Sequence, residues 1–224
     1  DNTFHALKVV FANEIGVIAK NLDVEGLELM RIFCEDKKLN LSPYYFKPGF
    51  SFGGSCLPKD MKALINFANH TGVKPTLLNA VEEINTKQID QIISILKYKL
   101  NNLSSKQITI LGTAFKPNTD DVRDSIAIEL IKNLLKRKMK VIIHDPKAIK
   151  NTIKVFGDKI SYSKSIKNAL NNSQCVIIMT HWKQYEKIGN NEIKNMKKNL
   201  IIDCRRILIN KKLDADYFAI GIGK

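Results

Sequence analysis

Gln107-Ile108-Thr109-Ile110-Leu111-Gly112 is a short, β-branched apolar run that closes on a glycine. Such a run predicts a strand, and a turn where the glycine stands. Outward on the C-terminal side, Ile126 to Lys138 carries apolar residues at helical spacing, and Lys140-Val141-Ile142-Ile143-His144-Asp145-Pro146 predicts a second strand. Lys159-Ile160-Ser161-Tyr162 predicts a short strand, Ser165 to Asn172 a helix, and Cys175-Val176-Ile177-Ile178-Met179-Thr180 a strand bounded by turn signals. A short helix over Trp182 to Ile188 follows, then strands at Asn199-Leu200-Ile201-Ile202-Asp203 and Asp216-Tyr217-Phe218-Ala219-Ile220-Gly221. Strands that alternate with helices specify an α/β fold, a doubly wound parallel sheet of Rossmann-like type.

The first hundred residues read differently. Phe4, Leu7, Val10, Phe11 and Ile15 repeat at helical spacing and predict a helix from about Asn2 to Asn21. A second helix is expected from about Glu25 to Asp36, a third from Pro58 to near Gly72, and a fourth from Pro75 to about Leu100. The long last helix suits a domain crossing or a dimer face. Between the second and third lies a loop, Leu39 to Leu57, rich in Pro, Gly and aromatics; a loop of this length inside a compact domain points to function. Asn101-Asn102-Leu103-Ser104-Ser105 marks the boundary, giving a helical domain over 1–103 and a parallel-sheet domain over 104–224. The opening helix starts with no capping signal, so the N-terminus reads as cut from something longer.

Composition narrows the class. The chain has 224 residues, 44% of them hydrophobic, which suits a globular protein with a real core. No apolar run reaches membrane-spanning length, and no signal peptide is visible. Cys34, Cys56, Cys175 and Cys204 have no paired or metal-ligand spacing, so no metal is expected and the thiols read as reduced, in a cytoplasmic protein. The net charge of +14 invites a nucleic-acid reading, but Lys132, Lys136, Lys138 and Lys140 are dispersed and no nucleic-acid-binding motif accompanies them. A positive field serves equally to attract a charged nucleotide.

The chemistry concentrates in Phe50-Ser51-Phe52-Gly53-Gly54-Ser55-Cys56-Leu57-Pro58-Lys59-Asp60. Pro58 suits the first turn of a helix, which puts Cys56 just before a helix N-terminus. The dipole there favours an anion, and Lys59 adds a positive charge, so the thiolate, the reactive form, is favoured. Gly53 and Gly54 let a ligand approach the backbone closely. A buried thiol beside an ordinary turn would explain each piece singly; the combination points to a nucleophile. Asp60, one helical turn on, is placed to activate or orient water.

Tyr44-Tyr45-Phe46-Lys47-Pro48-Gly49-Phe50 followed by Phe52-Gly53-Gly54-Ser55-Cys56-Leu57-Pro58-Lys59-Asp60 resembles the catalytic segment of the nucleotide-sugar 6-dehydrogenases, the UDP-glucose/GDP-mannose dehydrogenase family, and within it the GDP-mannose branch. Two further stretches extend the resemblance over nearly the whole chain. Gly112-Thr113-Ala114-Phe115-Lys116-Pro117-Asn118-Thr119-Asp120-Asp121-Val122-Arg123-Asp124-Ser125 is similar to the hallmark loop of the family's C-terminal domain, and Asn2 to Ile15 to the start of its central helix. The loop departs from the dinucleotide pattern Gly-x-Gly-x-x-Gly, since only Gly112 is present, so this domain is not expected to hold a dinucleotide pyrophosphate in the usual manner.

The resemblance implies a two-step oxidation of a sugar C6 alcohol to a carboxylate with NAD, GDP-mannose to GDP-mannuronate, through a thiohemiacetal and thioester on Cys56. It implies Cys56, Lys59 and Asp60 as catalytic residues. It assigns the nucleotide-sugar substrate to Asn2, His5, Asn13, Tyr44, Tyr45, Lys47, Phe50, Gly53 and Lys116, and the cofactor to Lys59 and Arg123. A homodimer through the helical domain is implied, as is an NAD-binding domain ahead of the present N-terminus, carrying a catalytic Lys four residues before Asn2. Without that domain the chain is expected not to turn over. Lys47 stands where the GDP-mannose enzymes have Arg, which replaces a planar fork by a point charge. UDP-glucose 6-dehydrogenase shares the Gly-Gly-x-Cys-x-Pro-Lys-Asp core and is the alternative enzyme. A non-catalytic nucleotide-binding and dimerisation module is the alternative from another class, and a cofactor-free Cys hydrolase lacks a Cys/His pairing.

Overall fold

In the computed structural model the described residues are 1–37, 45–54 and 56–221. The chain divides into two compact units, Asp1–Asp90 joined by Ile220 and Gly221, and Gln91–Ala219.

The first unit is helical. It contains α1 (Asn2–Asn21), α2 (Gly26–Phe33), α3 (Leu57–His70) and the start of α4 (Thr76–Leu100). An apolar seam joins α1 to α3: Ala6 and Val10 meet Met61, Ile65 and, from α4, Val81. These positions are three or four apart within each helix, so each seam residue lies on one face. At its other end α1 crosses α2 closely. A Cβ on Gly16 would lie 2.7 Å from the Pro48 ring, and one on Gly26 would lie 2.8 Å from the Gly221 carbonyl oxygen. Both glycines are therefore required by close approach rather than by turn geometry. The carboxylate of Glu25 caps α2 by accepting from the Glu28 N–H at 2.8 Å. The division between the units falls inside α4, ahead of the 101–105 stretch where the sequence sets the boundary. Ile92, Ile93 and Leu96 near the end of that helix are buried.

The second unit is a six-stranded parallel sheet, β1 (Gln107–Leu111), β2 (Lys140–His144), β3 (Ser161–Tyr162), β4 (Cys175–Ile178), β5 (Leu200–Asp203) and β6 (Asp216–Ala219). Its order, β3-β2-β1-β4-β5-β6, is the doubly wound arrangement expected from the alternation of elements. β1 is central, pairing Ile108 with Val141 on one side and Cys175 on the other. All four residues of β4 and of β5 are buried, which is why these strands read as continuous apolar runs without alternation. Helices α5 (Ile126–Lys136), α6 (Ile149–Phe156), α7 (Ile166–Leu170) and α8 (Asn190–Ile193) and a 3₁₀ turn at Lys183–Lys187 make the connections. The sequence reading has no counterpart for α6 or α8. Both are short; Ala148, which precedes α6, makes no side-chain cap, whereas α8 does carry a start signal that the sequence reading passed over, Glu192 accepting from the Gly189 N–H at 2.8 Å. Among the described residues no helix is long and apolar enough to cross a membrane.

One buried polar pair sits under the carboxyl edge of this sheet. The Tyr185 hydroxyl donates to the His144 carbonyl at 2.8 Å, and His144 Nδ1 lies 2.9 Å from the same hydroxyl oxygen. Burial holds the His144 imidazole below its ordinary value of 6.5, against the opposing pull of Asp145 and of the Lys164 backbone. The folded state therefore favours the neutral ring. Its contribution to stability is complete above pH 6.5 and is lost as pH falls below that value, because the unfolded chain takes up the proton first. Resistance of the wild type to denaturant is expected to fall from pH 7.5 to 5, and His144→Gln, which cannot titrate, is expected to show a flatter profile.

Candidate active site

The helix seam sets the geometry of the first unit's site. By packing α1 on α3 it brings the start of one helix to the start of the other, and the Asn2 Nδ2 donates to Asp60 Oδ2 at 2.7 Å. Two residues 58 apart in sequence are so joined at the mouth of α3. Cys56 is the residue before that helix; its carbonyl accepts from the Asp60 N–H at 2.9 Å, and Pro58 lies in the first turn. The Cys56 side chain is exposed, as is Lys59. Gly54 precedes with φ of 90°, a conformation open to glycine and strained for other residues.

The other thiols differ in kind. Cys175 and Cys204 are wholly buried, and burial pushes both thiols up, away from the thiolate. Cys34 is partly exposed, and none of the four is in a disulfide.

The segment leading to Cys56 is held by two asparagines. Asn85 on α4 clamps Phe52 from both sides, its Oδ1 accepting from the Phe52 N–H at 2.9 Å and its Nδ2 donating to the Phe52 carbonyl at 3.1 Å. Ser51 Oγ donates to the Asn85 carbonyl at 2.7 Å. Asn13 on α1 accepts from the Gly49 N–H at 2.8 Å and is only 2% exposed, so its oxygen is committed to holding the Lys47–Phe50 turn. Phe50, 3% exposed, anchors the same turn in the interior. Lys47 is exposed and lines a cleft of about 480 Å³ with Glu25, Glu28, Met30, Cys34 and Phe46. His5 and Tyr45 face each other with ring centroids 5.2 Å apart. Tyr45 holds φ at 74°, an unusual value for a bulky residue and the kind of strain that gathers at functional sites. Gly53 is half-buried between the Asn85 clamp and Cys56. Tyr44 lies outside the described residues.

In the second unit Lys116 and Arg123 both sit on the loop that follows β1. The Lys116 ammonium is exposed and rests 5.3 Å from the Phe115 ring centroid. Arg123 folds back on Asp121: Nε and Nη2 donate to its two oxygens, and the Arg123 N–H donates to Oδ1 at 2.9 Å. The guanidinium beside it holds the Asp121 carboxyl below its ordinary value. The Arg123 side chain is still 76% exposed.

The start of this loop explains the missing glycines. In a dinucleotide-binding sheet the N–H groups after the first strand receive a pyrophosphate. Here the Thr113 and Ala114 N–H groups donate to Asp145 Oδ2 at 2.8 and 3.1 Å, while Lys147 and Ala148 donate to Oδ1 at 2.9 and 2.7 Å. The Trp182 indole adds a longer bond of 3.3 Å. Asp145 is 2% exposed, so the position an anion would take is filled by the chain's own carboxylate. Thr180 closes the other side, its Oγ1 donating to the Ala114 carbonyl at 2.6 Å. A Cβ on Gly112, whose φ is 94°, would lie 2.4 Å from the Thr180 Cβ. Sequence reading places Asp145 only at the end of a strand; the Asp-Pro pair after an apolar run is the signal that points to a turn there. A second carboxylate, Asp203, is buried after β5 and accepts from Arg205 N, Leu208 N and the Tyr217 hydroxyl. That turn sends the Arg205 Nε to the Met179 carbonyl.

An exposed thiol at a helix mouth beside a fixed carboxylate, and a doubly wound sheet whose anion cradle is sealed, define a class. Residues 1–87 match the model of the UDP-glucose/GDP-mannose dehydrogenase family, central domain, and residues 109–210 that of the same family's UDP binding domain. The chain belongs to this family of nucleotide-sugar dehydrogenases. It is 37% identical over 221 residues to GDP-mannose 6-dehydrogenase of Pseudomonas syringae pv. tomato, covering 93% of this chain and 48% of that one. With UDP-glucose 6-dehydrogenase AglM of Haloferax volcanii the identity is 34% over 212 residues, 95% of this chain and 48% of the relative. A solved UDP-glucose dehydrogenase from the archaeon Pyrobaculum islandicum superposes with a TM-score of 0.88 at 34% identity, over 99% of this chain and 49% of its own. The chain thus spans about half the length of these relatives.

Asp145→Ala strands four backbone N–H groups and an indole in the interior. It is expected to lower the stability of the Gln91–Ala219 unit by about 3 kcal/mol or more. Asp145→Asn, which keeps one acceptor oxygen, is expected to lose less. Trp182 is the chain's single tryptophan and bonds to this carboxylate, so urea unfolding followed by its fluorescence reads the effect directly.

Proposed function

We propose that the chain is the central and C-terminal part of an NAD-dependent nucleotide-sugar 6-dehydrogenase that oxidises the sugar C6 to a carboxylate, with Cys56 as nucleophile. The observation that carries this reading is the exposed Cys56 at the head of α3, one turn from an Asp60 carboxylate whose direction Asn2 fixes. The Cys56 thiolate adds to the C6 aldehyde carbon, and the resulting oxyanion takes a proton to give a thiohemiacetal. Oxidation of that carbon gives a thioester. Water then adds to the thioester, and collapse releases the carboxylate and the thiol. Capturing the aldehyde on sulfur divides a hard oxidation into easier steps and keeps the intermediate from escaping. Asp60 orients or deprotonates the water, and Lys59 offsets negative charge developing on oxygen.

NAD, when bound, is the two-electron acceptor. On this chain Lys59 and Arg123 are the residues that contact it; the guanidinium of Arg123, on a side chain 76% exposed, suits a polar or anionic group. The sealed cradle at Asp145 does not suit a dinucleotide pyrophosphate, so the second unit's role is toward the substrate, with Lys116 as a nucleotide contact. Asn2, His5, Tyr44, Tyr45, Lys47 and Gly53 complete the substrate surface, and Asn13 and Phe50 support it by holding the turn. A homodimer through the helical unit fits the stripe of exposed apolar residues at Phe4, Phe11 and Ile18, spaced seven apart along α1.

The substrate is GDP-mannose, supported by the likeness to the Pseudomonas enzyme over nearly the whole chain. A second reading, UDP-glucose, is supported by the superposition on the Pyrobaculum structure. Calorimetry with GDP and UDP separates them, and tighter binding of UDP would decide for the second. The nucleophile is tested by alkylating the protein with iodoacetamide, with and without a nucleotide-sugar 6-aldehyde, and mapping the label by mass spectrometry. Labelling of Cys56 that the aldehyde suppresses, with the labelling of Cys34 unchanged, is expected; Cys56 labelling that the aldehyde leaves unaltered rules the mechanism out.

A further inference from the structure

A second concave site lies on the same carboxyl edge of the sheet, above β2 and β3 and away from Lys116 and Arg123. It is a cleft of about 350 Å³ lined by His144, Lys164, Ser165, Ile166, Lys167, Gln184, Lys187, Ile188 and Glu192. That volume is within the range of small-ligand sites. Its lining holds three lysines, Lys164, Lys167 and Lys187, against one carboxylate residue, Glu192, which already accepts from the Gly189 N–H at 2.8 Å. Few lysines among the described residues are ion-paired, Lys87 with Glu83, Lys99 with Asp216 and Lys132 with Glu129 being such pairs, so it is the gathering of three lysines around one concavity that sets this place apart. Among the described residues no ion pair is made by Lys164, Lys167 or Lys187. Like charges gathered around a concavity repel one another and raise a positive potential inside it, which an anion relieves.

The floor is rigid and polar. His144 is 5% exposed, with Nδ1 on the Tyr185 hydroxyl and a further bond to the Lys164 backbone, so it is a fixed part of the floor. The sheet's ordinary anion position, a few residues away at Thr113 and Ala114, is filled by Asp145. An anion bound at this edge must therefore be held by side chains instead of loop N–H groups.

We infer that the cleft over β2 and β3, lined by Lys164, Lys167, Lys187 and His144, binds a small phosphate-bearing anion such as a pyrophosphate or a compact phosphate ester, independently of the Cys56 site. The test is titration of the whole chain with pyrophosphate, read by calorimetry and by the NMR signals of the His144 ring. One-site saturable binding that shifts those signals is expected. Lys164→Gln combined with Lys167→Gln is expected to weaken it by about tenfold or more, the loss of charged hydrogen bonds. Lys136→Gln combined with Lys140→Gln removes equal charge outside the cleft and is expected to change affinity less than about twofold, which is the screened contribution of distant surface charge. Equal weakening in the two double variants overturns the site in favour of diffuse attraction. Absence of saturation, or an unmoved His144 signal, overturns it as well. Sulfate binding as tightly as pyrophosphate overturns the phosphate assignment. None of these readouts uses catalytic activity, so they stand apart from the dehydrogenase reading.

Discussion

The apolar seam between α1 and α3 is the constraint from which the candidate active site follows. Ala6 and Val10 pack against Met61 and Ile65, and that contact alone decides how the two helix starts are placed. Once the seam closes, the Asn2 carboxamide reaches the Asp60 carboxylate, and the N-terminus of α3, with Cys56 before it, is presented at the surface. Small residues are essential to it. Ala6 is fully buried, and a larger side chain there would force the helices apart. At the far end of α1, Gly16 gives room for Pro48, so the turn carrying Lys47 and Phe50 docks on the same helix. One helix therefore positions both walls of the first unit's site, by packing at one end and by close approach at the other.

The parallel-sheet unit illustrates how a common topology can use its loop N–H groups internally. Its strand order is that of dinucleotide-binding sheets, and ligands in such sheets sit beyond the carboxyl ends of the strands. A buried carboxylate at the end of β2 has taken the anion's place, bonding to four backbone N–H groups. Such a group is stable in the interior only because it is fully satisfied. The arrangement fixes the turn after β1 and frees the exposed part of the loop, where Lys116 and Arg123 stand, for side-chain recognition. Positive charge on the remaining edge then has no competing backbone site.

The wholly buried thiols sharpen the reading of the exposed one. Cys175 and Cys204 lie on or beside central strands, where burial disfavours ionisation. The same side chain placed at the head of a helix, in contact with solvent, is set up for chemistry that the buried pair cannot perform.

Periodicity alone determined much of this protein. The helices from Asn2 to Leu100 and all six strands stand where apolar spacing puts them, because each buries one face or both and must repeat at 3.6 residues or run unbroken. The Cys56 helix mouth was legible too, since Pro58 and the preceding glycines act through local backbone geometry. Helices α6 and α8 were not, because α6 has no capping side chain and the Gly189–Glu192 signal of α8 opens only a single turn of helix. The reach of Asn2 to Asp60, the docking of Asn13 on Gly49 and the capture of the Thr113 and Ala114 N–H groups by Asp145 join residues between 31 and 58 positions apart. Hydrogen bonds of that range exist only after apolar packing has fixed where the chain returns, and so only the tertiary structure could decide them.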